Sequence, residues 1–310
     1  MATGFITHPD CARHDMGRFH PESPARLQAI EQALEAGGLM ARLTRLQAPA
    51  ATDEQLERAH SADHVATIRT AAPDAGLVHL DPDTAMNAWT LSASLHAAGA
   101  AVLAIDQVLG GQLDNAFCSI RPPGHHACHS RAMGFCIFNN VAIAALHALD
   151  AHGLERVAII DFDVHHGNGT EDILAGDSRV LMVGSFQHPY YPGSGAVPAG
   201  DNMLNVPLAA GAGSQAFRQA VERSWLPALD EFAPQLVLVS AGFDAHRDDA
   251  LAGLMFSDDD YTWISRQLMA VAQTHAGGRL VSLLEGGYDL PALGRCVARH
   301  VSVLLGPATD

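Results

Sequence analysis

Five short apolar runs constrain this chain more than any other feature. They are residues 115–120 (NAFCSI), 157–160 (VAII), 180–183 (VLMV), 236–239 (LVLV) and 280–284 (LVSLL). Each is rich in β-formers and too short for a helix, the pattern of strands buried on both faces. Between them lie Ala- and Leu-rich stretches with helical period. The stretch 91–109 stops at Gly110-Gly111, 139–152 stops at Gly153, and 258–275 follows Ser257, has Asp260 three residues on, and stops at Gly277-Gly278. A further helix over 24–35 starts after Ser23 with Pro24 in its first turn. Strands alternating with helices predict an α/β fold with a parallel sheet. No linker, internal repeat or low-complexity segment divides the chain, so residues 1–310 are expected to be a single domain, with a short frayed tail after Leu305.

Composition narrows the partners. The apolar fraction of 48% can fill a large core, and no uninterrupted run suggests a membrane span. The first residues, MATGFITHPDCARHD, lack the basic and apolar regions of a secretory signal, so a cytoplasmic location is expected. The five cysteines show no CxxC spacing and are expected to be reduced. A net charge of −16 argues against nucleic acid as a partner. It suits a cationic substrate, or is ordinary solubility charge. All 18 basic residues are Arg, a bias that accompanies the high Ala content.

Function is suggested by the polar cluster at the end of each apolar run. After NAFCSI comes Arg121-Pro122-Pro123-Gly124-His125-His126, and after VAII comes Asp161-Phe162-Asp163-Val164-His165-His166-Gly167-Asn168-Gly169. After VLMV come Ser185, His188, Tyr190 and Tyr191; after LVLV, Ser240-Ala241-Gly242-Phe243-Asp244; after LVSLL, Glu285-Gly286-Gly287-Tyr288. Open parallel sheets bind ligands at the carboxyl ends of their strands, so five such clusters should converge on one site.

If the strand runs on through Asp161-x-Asp163-x-His165, alternate side chains share a face, and Asp163 and His165 can reach one cation. Asp244 is the natural third ligand. One His and two carboxylates leave positions open for water and substrate, the mark of a catalytic metal. The adjacent His125 and His126 suit proton transfer near neutral pH, with Asp161 and Asn168 placed to orient their rings. Tyr288 can donate its phenol to a developing oxyanion, and Gly286 and Gly287 let that loop approach closely.

Taken together the motifs RPPGHH (121–126), GFCIFNN (134–140), DFDVHHGNGT (161–170), YYPGSG (190–195), SAGFDAH (240–246) and EGGYDL (285–290), with HPESPARL (20–27), make the chain similar to the histone deacetylase family, including its bacterial amidohydrolases. The resemblance implies an arginase-like fold with an eight-stranded parallel sheet. It implies one catalytic zinc at Asp163, His165 and Asp244, and tandem histidines of which His126 is the general base and later acid. It implies that Tyr288 polarises the scissile carbonyl. Gly134 and Phe135 with Tyr191 would wall an acyl-lysine tunnel, and Arg26 would line an internal acetate-release channel. Backbone carbonyls around Asp161, Asp163 and His165 would hold a structural potassium, whose family serine aligns at Gly184, one place before Ser185. Asn168 stands where class I enzymes carry Asp, as in class II-like members. Leu251 aligns with a gatekeeper that is acidic in a polyamine-deacetylating branch, which favours acyl-lysine or neutral-tailed substrates.

The expected reaction is therefore removal of acetyl or other acyl groups from lysine-like amines. Acetylpolyamines and small acyl-amides stay open as substrates. A di-manganese ureohydrolase of the arginase type is a rival, although two metals need more bridging carboxylates than Asp161 and Asp244 supply. An acyl-amine-binding protein with a dead site is a third reading. The acidic loops Asp81-Pro82-Asp83 and Asp248-Asp249 either line the rim or are solvated turns. No long inserted loop of the dimer-building kind is present, and the oligomeric state is open.

Overall fold

The computed structural model describes residues 2–307. The end of the expected tail, and the two ends of the expected domain, lie outside the described residues. In chain order the elements are β1 (Thr3–Thr7), α1 (Ala25–Ala36), β2 (Thr44–Gln47), α2 (Asp53–Glu57), α3 (Ala62–Ala71), β3 (Val78–His79), β4 (Ala85–Met86), α4 (Thr90–Leu109), β5 (Asn115–Cys118), α5 (Asn140–Asp150), β6 (Val157–Asp161), α6 (Asn168–Leu174), β7 (Val180–Gln187), β8 (Met203–Leu208), α7 (Ser214–Ala220), α8 (Leu226–Phe232), β9 (Leu236–Ala241), α9 (Asp258–His275), β10 (Leu280–Leu284) and α10 (Leu290–Leu305).

Eight strands form one sheet in the order β2-β1-β5-β10-β9-β6-β7-β8. Every pairing in it is parallel. β3 and β4 form a separate antiparallel pair. The four central strands are buried along their whole length, as expected where helices cover both faces. The edge strands β2 and β8 carry half-exposed and exposed residues.

The chain passes from β5 to β6 over two places in the sheet, which β9 and β10 fill later. To one side the order runs out through β7 and β8, to the other through β1 and β2. This change of direction opens a crevice at the carboxyl ends of the middle strands, where ligands of open α/β sheets bind.

Capping follows local chemistry. Ser257 and Asp260 form a reciprocal capping box at the start of α9. The Asn139 side chain accepts from Ala142 N at the start of α5, and Asp289 does the same from Ala292 N for α10. α4 is long and apolar enough, by length and composition, to cross a membrane, with a mean hydropathy of 1.3. Most of that window, 61%, is buried inside the fold, packed on β5 and α5, so here it is a core helix. All five cysteines are free.

Candidate active site

The candidate metal ligands are placed differently from the way strand alternation predicts. β6 ends at Asp161, so Asp163 and His165 lie beyond it in a turn. Two side-chain-to-backbone bonds shape that turn. Asp161 Oδ1 accepts from Asp163 N at 3.1 Å, and Asp163 Oδ1 accepts from His165 N at 2.9 Å. The alternation of side chains thus survives without a strand. Asp244, just past β9, accepts from Val164 N at 2.9 Å through Oδ1. Asp163 Oδ2 accepts from Gly286 N at 2.8 Å.

Both oxygens of Asp163 and one of Asp244 are thereby anchored, and the group converges. Asp163, His165 and Asp244 are all buried, with one candidate ligand atom from each lying within 4.8 Å of the others. Three further His/Asp/Cys groups of this kind occur among the described residues, but each includes a half-exposed or exposed member. Asp244 Oδ2 is buried and accepts no well-directed hydrogen bond; its near neighbour is His165 Nδ1 at 3.3 Å, another member of the triad. A buried carboxylate oxygen in that state is costly unless a cation completes it, so the residues present fit a metal. Gly286 is required here, because a Cβ on it would lie 2.0 Å from Asp244 Oδ2.

The tandem histidines have unlike partners. His125 Nδ1 is 2.9 Å from Asp161 Oδ2, while His126 Nδ1 is 2.7 Å from Asn168 Oδ1. Burial lowers the pKa of both rings. For His125 the charges of Asp161, Asp163 and Glu285 outweigh burial and hold it well above the usual range. For His126 the neighbouring His125 and His165 add to burial and hold it well below. An amide cannot replace the carboxylate's charge, so the two rings favour opposite protonation states. His165 is pushed up to about 10, since Asp163 and Asp244 outweigh its burial.

A pocket of about 190 Å³ opens above these groups. It is lined by His125, His126, Gly134, Phe135, His165, Tyr190, Tyr191, Leu251, Gly286 and Tyr288, with Asp83 and Pro123. Tyr191 meets His126 edge-on at 5.2 Å between ring centres, and Phe135 meets Tyr288 edge-on at 6.1 Å. Phe135 has a φ of 68°, a left-handed conformation held where its N–H donates to Thr84 Oγ1 at 3.0 Å. Gly134 permits this wall, because its φ is 58° and a Cβ there would sit 2.5 Å from the His126 ring.

Arg26 lies behind the wall. It is fully buried, donates to Gly287 O at 2.6 Å and to Glu22 Oε1 at 3.1 Å, and its guanidinium stands 5.0 Å from the Tyr288 ring centre. Asp161, Asn168 and Gly287 likewise sit outside the pocket lining, where they support the groups that form it.

The sequence does not reveal the role of several supports. Glu285 Oε2 accepts from Gly124 N at 2.7 Å and His125 N at 3.1 Å, which fixes the tandem-histidine turn to β10. Asp249 is buried, accepting from Tyr288 N at 2.6 Å, Asp289 N at 3.1 Å and Leu251 N at 3.0 Å. It is an internal anchor for the Tyr288 loop, neither a rim charge nor a solvated turn. Asp248 pairs with Arg295 at 3.2 Å. Of the two acidic loops, Asp81-Pro82-Asp83 reaches the pocket, through Asp83. Tyr190 stacks on His165 at 5.6 Å, a second rim aromatic beside Tyr191.

Over nearly its whole length the chain is similar to known proteins. The family model described as Histone deacetylase domain matches residues 20–304. The chain is 41% identical over 301 residues to a histone deacetylase-like amidohydrolase of Pseudomonas aeruginosa, covering 94% of this chain and 79% of that protein. It is 35% identical over 298 residues to a probable deacetylase of Archaeoglobus fulgidus, covering 94% and 82%. The crystal structure of the HDA15 HD domain superposes with a TM-score of 0.93 at 33% identity, covering 100% of this chain and 89% of that one.

Proposed function

The chain belongs to the histone deacetylase family, whose deacetylases and amidohydrolases are hydrolases, and from that membership we propose that it is a zinc-dependent amidohydrolase removing acetyl or other acyl groups from lysine-like amines. The observation that carries the zinc is the buried triad of Asp163, His165 and Asp244, whose Asp244 Oδ2 accepts no well-directed hydrogen bond, beneath an aromatic-walled pocket. Mixed His and carboxylate ligands with open positions suit a catalytic zinc. When bound, zinc supplies Lewis acidity at the scissile carbonyl and lowers the pKa of a water.

The protein's own groups carry the rest. The acyl-amine chain passes between Phe135 and Tyr191, whose apolar faces exclude water around it. Tyr288 donates its hydroxyl to the carbonyl oxygen; burial and the Asp244 charge hold that phenol well above its usual range, so it keeps its proton. His126, neutral and with its proton on Nδ1, takes the proton of the attacking water at Nε2. A protonated ring of the tandem pair then passes a proton to the leaving amine. His125, held by Asp161, keeps a positive charge beside that step. Leu251 at the pocket wall presents no charge to the substrate tail, in keeping with acyl-lysine rather than an acetylpolyamine. A structural potassium on the carbonyls of Asp161, Asp163 and His165 belongs to the same reading.

Two measurements test this reading. Metal analysis is expected to give one zinc per chain, and two manganese ions would favour the ureohydrolase instead. Turnover compared side by side on acetyl-lysine peptides and acetylpolyamines is expected to favour the peptides. Activity on neither, in zinc-loaded protein, would leave a binding protein.

A further inference from the structure

An amide, unlike a carboxylate, has two unlike ends. Asn168 Oδ1 lies 2.7 Å from His126 Nδ1, so the ring nitrogen donates. With the amide turned over, its NH₂ would face Nδ1, that nitrogen would have to accept, and the ring proton would move to Nε2. A ring protonated there has no lone pair to offer a water. The orientation of Asn168 therefore decides whether His126 can act as a base.

The far end of the amide is held by sulfur. Asn168 Nδ2 donates to Cys128 Sγ at 3.4 Å and to Met133 Sδ at 3.5 Å. A thioether carries no hydrogen and can only accept. Cys128 directs its own S–H to His126 O at 3.6 Å, which leaves its lone pairs for the amide. The two sulfurs are 4.0 Å apart and form one acceptor surface. An oxygen turned toward them would meet the Met133 lone pairs, and could take a donor from Cys128 only by drawing its S–H away from His126 O. Neither side chain lines the pocket.

We infer that Cys128 and Met133 are positioning residues for the tandem-histidine site: their sulfurs hold the Asn168 amide in the one orientation that keeps the His126 proton on Nδ1 and Nε2 free for proton transfer. The inference rests on the proposed acid–base role of His126. A carboxylate at position 168 would offer equivalent oxygens and need no such clamp.

The test is the full chain carrying Cys128→Ala and Met133→Leu together, read by nitrogen NMR of ring-labelled histidine in metal-free and zinc-loaded protein, and by kcat and KM. The wild-type protein is expected to show His126 as a single Nδ1–H tautomer, and the double variant as a mixture of both. Losing two weak hydrogen bonds should lower kcat roughly five-fold with KM unchanged. Cys128→Ser, whose hydroxyl both donates and accepts, should restore most of the loss relative to Cys128→Ala. In an Asn168→Asp background the same sulfur substitutions should change neither tautomer nor kcat further. An unchanged tautomer in the double variant overturns the inference, whatever happens to kcat. A shifted tautomer with unchanged kcat upholds the clamp and overturns His126 as the base.

Discussion

Two buried charge clusters meet at the loop after β10, and they are built on opposite plans. In the first, Glu22 faces Arg121, with Oε2 2.6 Å from Nη2, and Arg26, with Oε1 3.1 Å from Nη1. Other donors of the two guanidiniums reach the backbone carbonyls of Cys11, Gly287 and Glu285. In the second, the carboxyls of Asp161, Asp163 and Asp244 face two imidazoles, His125 and His165, while Glu285 accepts from the His125 backbone N–H. The contrast appears in their proton affinities. Burial would raise Glu22, but Arg121 outweighs it and holds the carboxyl well below its usual range. Burial pushes Asp244 up to about 6 and Glu285 up to about 7. The first cluster has one carboxyl for two guanidiniums, but each guanidinium nitrogen has a partner in Glu22 or a backbone carbonyl, so its hydrogen bonding is complete without a further ion. The other has more negative groups than positive ones and calls for a cation. Burial alone does not mark a functional charge; a surplus of buried carboxyls that only a cation can complete does.

Substitutions at the two clusters should therefore behave differently. Asp244→Asn should show the largest effect, with zinc binding lost and turnover down by more than about 1000-fold. The unfolding temperature of metal-free protein should not fall, because an uncompensated charge has been removed. Elemental analysis and calorimetry check both halves, and a clear drop in metal-free stability would erase the contrast. Glu22→Gln should do the reverse and cost about 3–5 kcal/mol of stability by leaving guanidiniums buried without a counter-charge. Denaturant titration reads this, and the loss should be the same with and without zinc.

Tyr288→Phe should bind zinc and keep its stability, yet lose about 100- to 1000-fold in kcat. Steady-state kinetics at the wild-type rate would remove Tyr288 from the reaction. Zinc at about 100 times its dissociation constant should stabilise the wild-type chain by about 2.7 kcal/mol and Asp244→Asn by little, as read from melting curves.

The smallest effect is in pH, and its sign differs between the clusters. Glu285, raised in the folded chain, binds its proton before the unfolded chain does. In metal-free protein it should make stability rise as pH falls from about 7 toward 4.5, and cost stability above that window. Glu22, depressed in the folded chain, contributes fully above its unfolded value near 4.5 and loses its contribution as pH falls through its lower folded value. Each slope is at most about 1.4 kcal/mol per pH unit. Glu285→Gln should flatten the first limb and leave the second, as tracked by urea titration across pH.

The middle of the fold was legible in the sequence because β5, β6, β7, β9 and β10 are nearly continuous apolar runs. β2 and β8 were not, because edge strands carry polar residues such as Arg45 and Asn205 that break the pattern. β1 is short, and its five residues begin and end in Thr. The proposed metal triad and the tandem histidines stand out as unusual polar groups at strand ends. Glu285 lay in one of those clusters, but its role depends on backbone N–H groups 160 and 161 residues away, which no spacing reveals. Asp249 looked like a loop charge because local sequence does not show that Tyr288 N folds over it. The sulfurs at Cys128 and Met133 carry no motif at all.

The late filling of the sheet has a consequence for how the chain is made. Val164, beside two of the triad's members, and Asp244, the third, are 80 residues apart, and Tyr288 comes later still. At about 5–20 residues per second, a ribosome exposes the first pair for some seconds before the third exists. A nascent chain in that interval has two ligands, no finished crevice and no β9 or β10 between β5 and β6. On the proposed reading, firm capture of an ion waits until the last strands slot into the centre, so a loaded metal would certify a completed molecule.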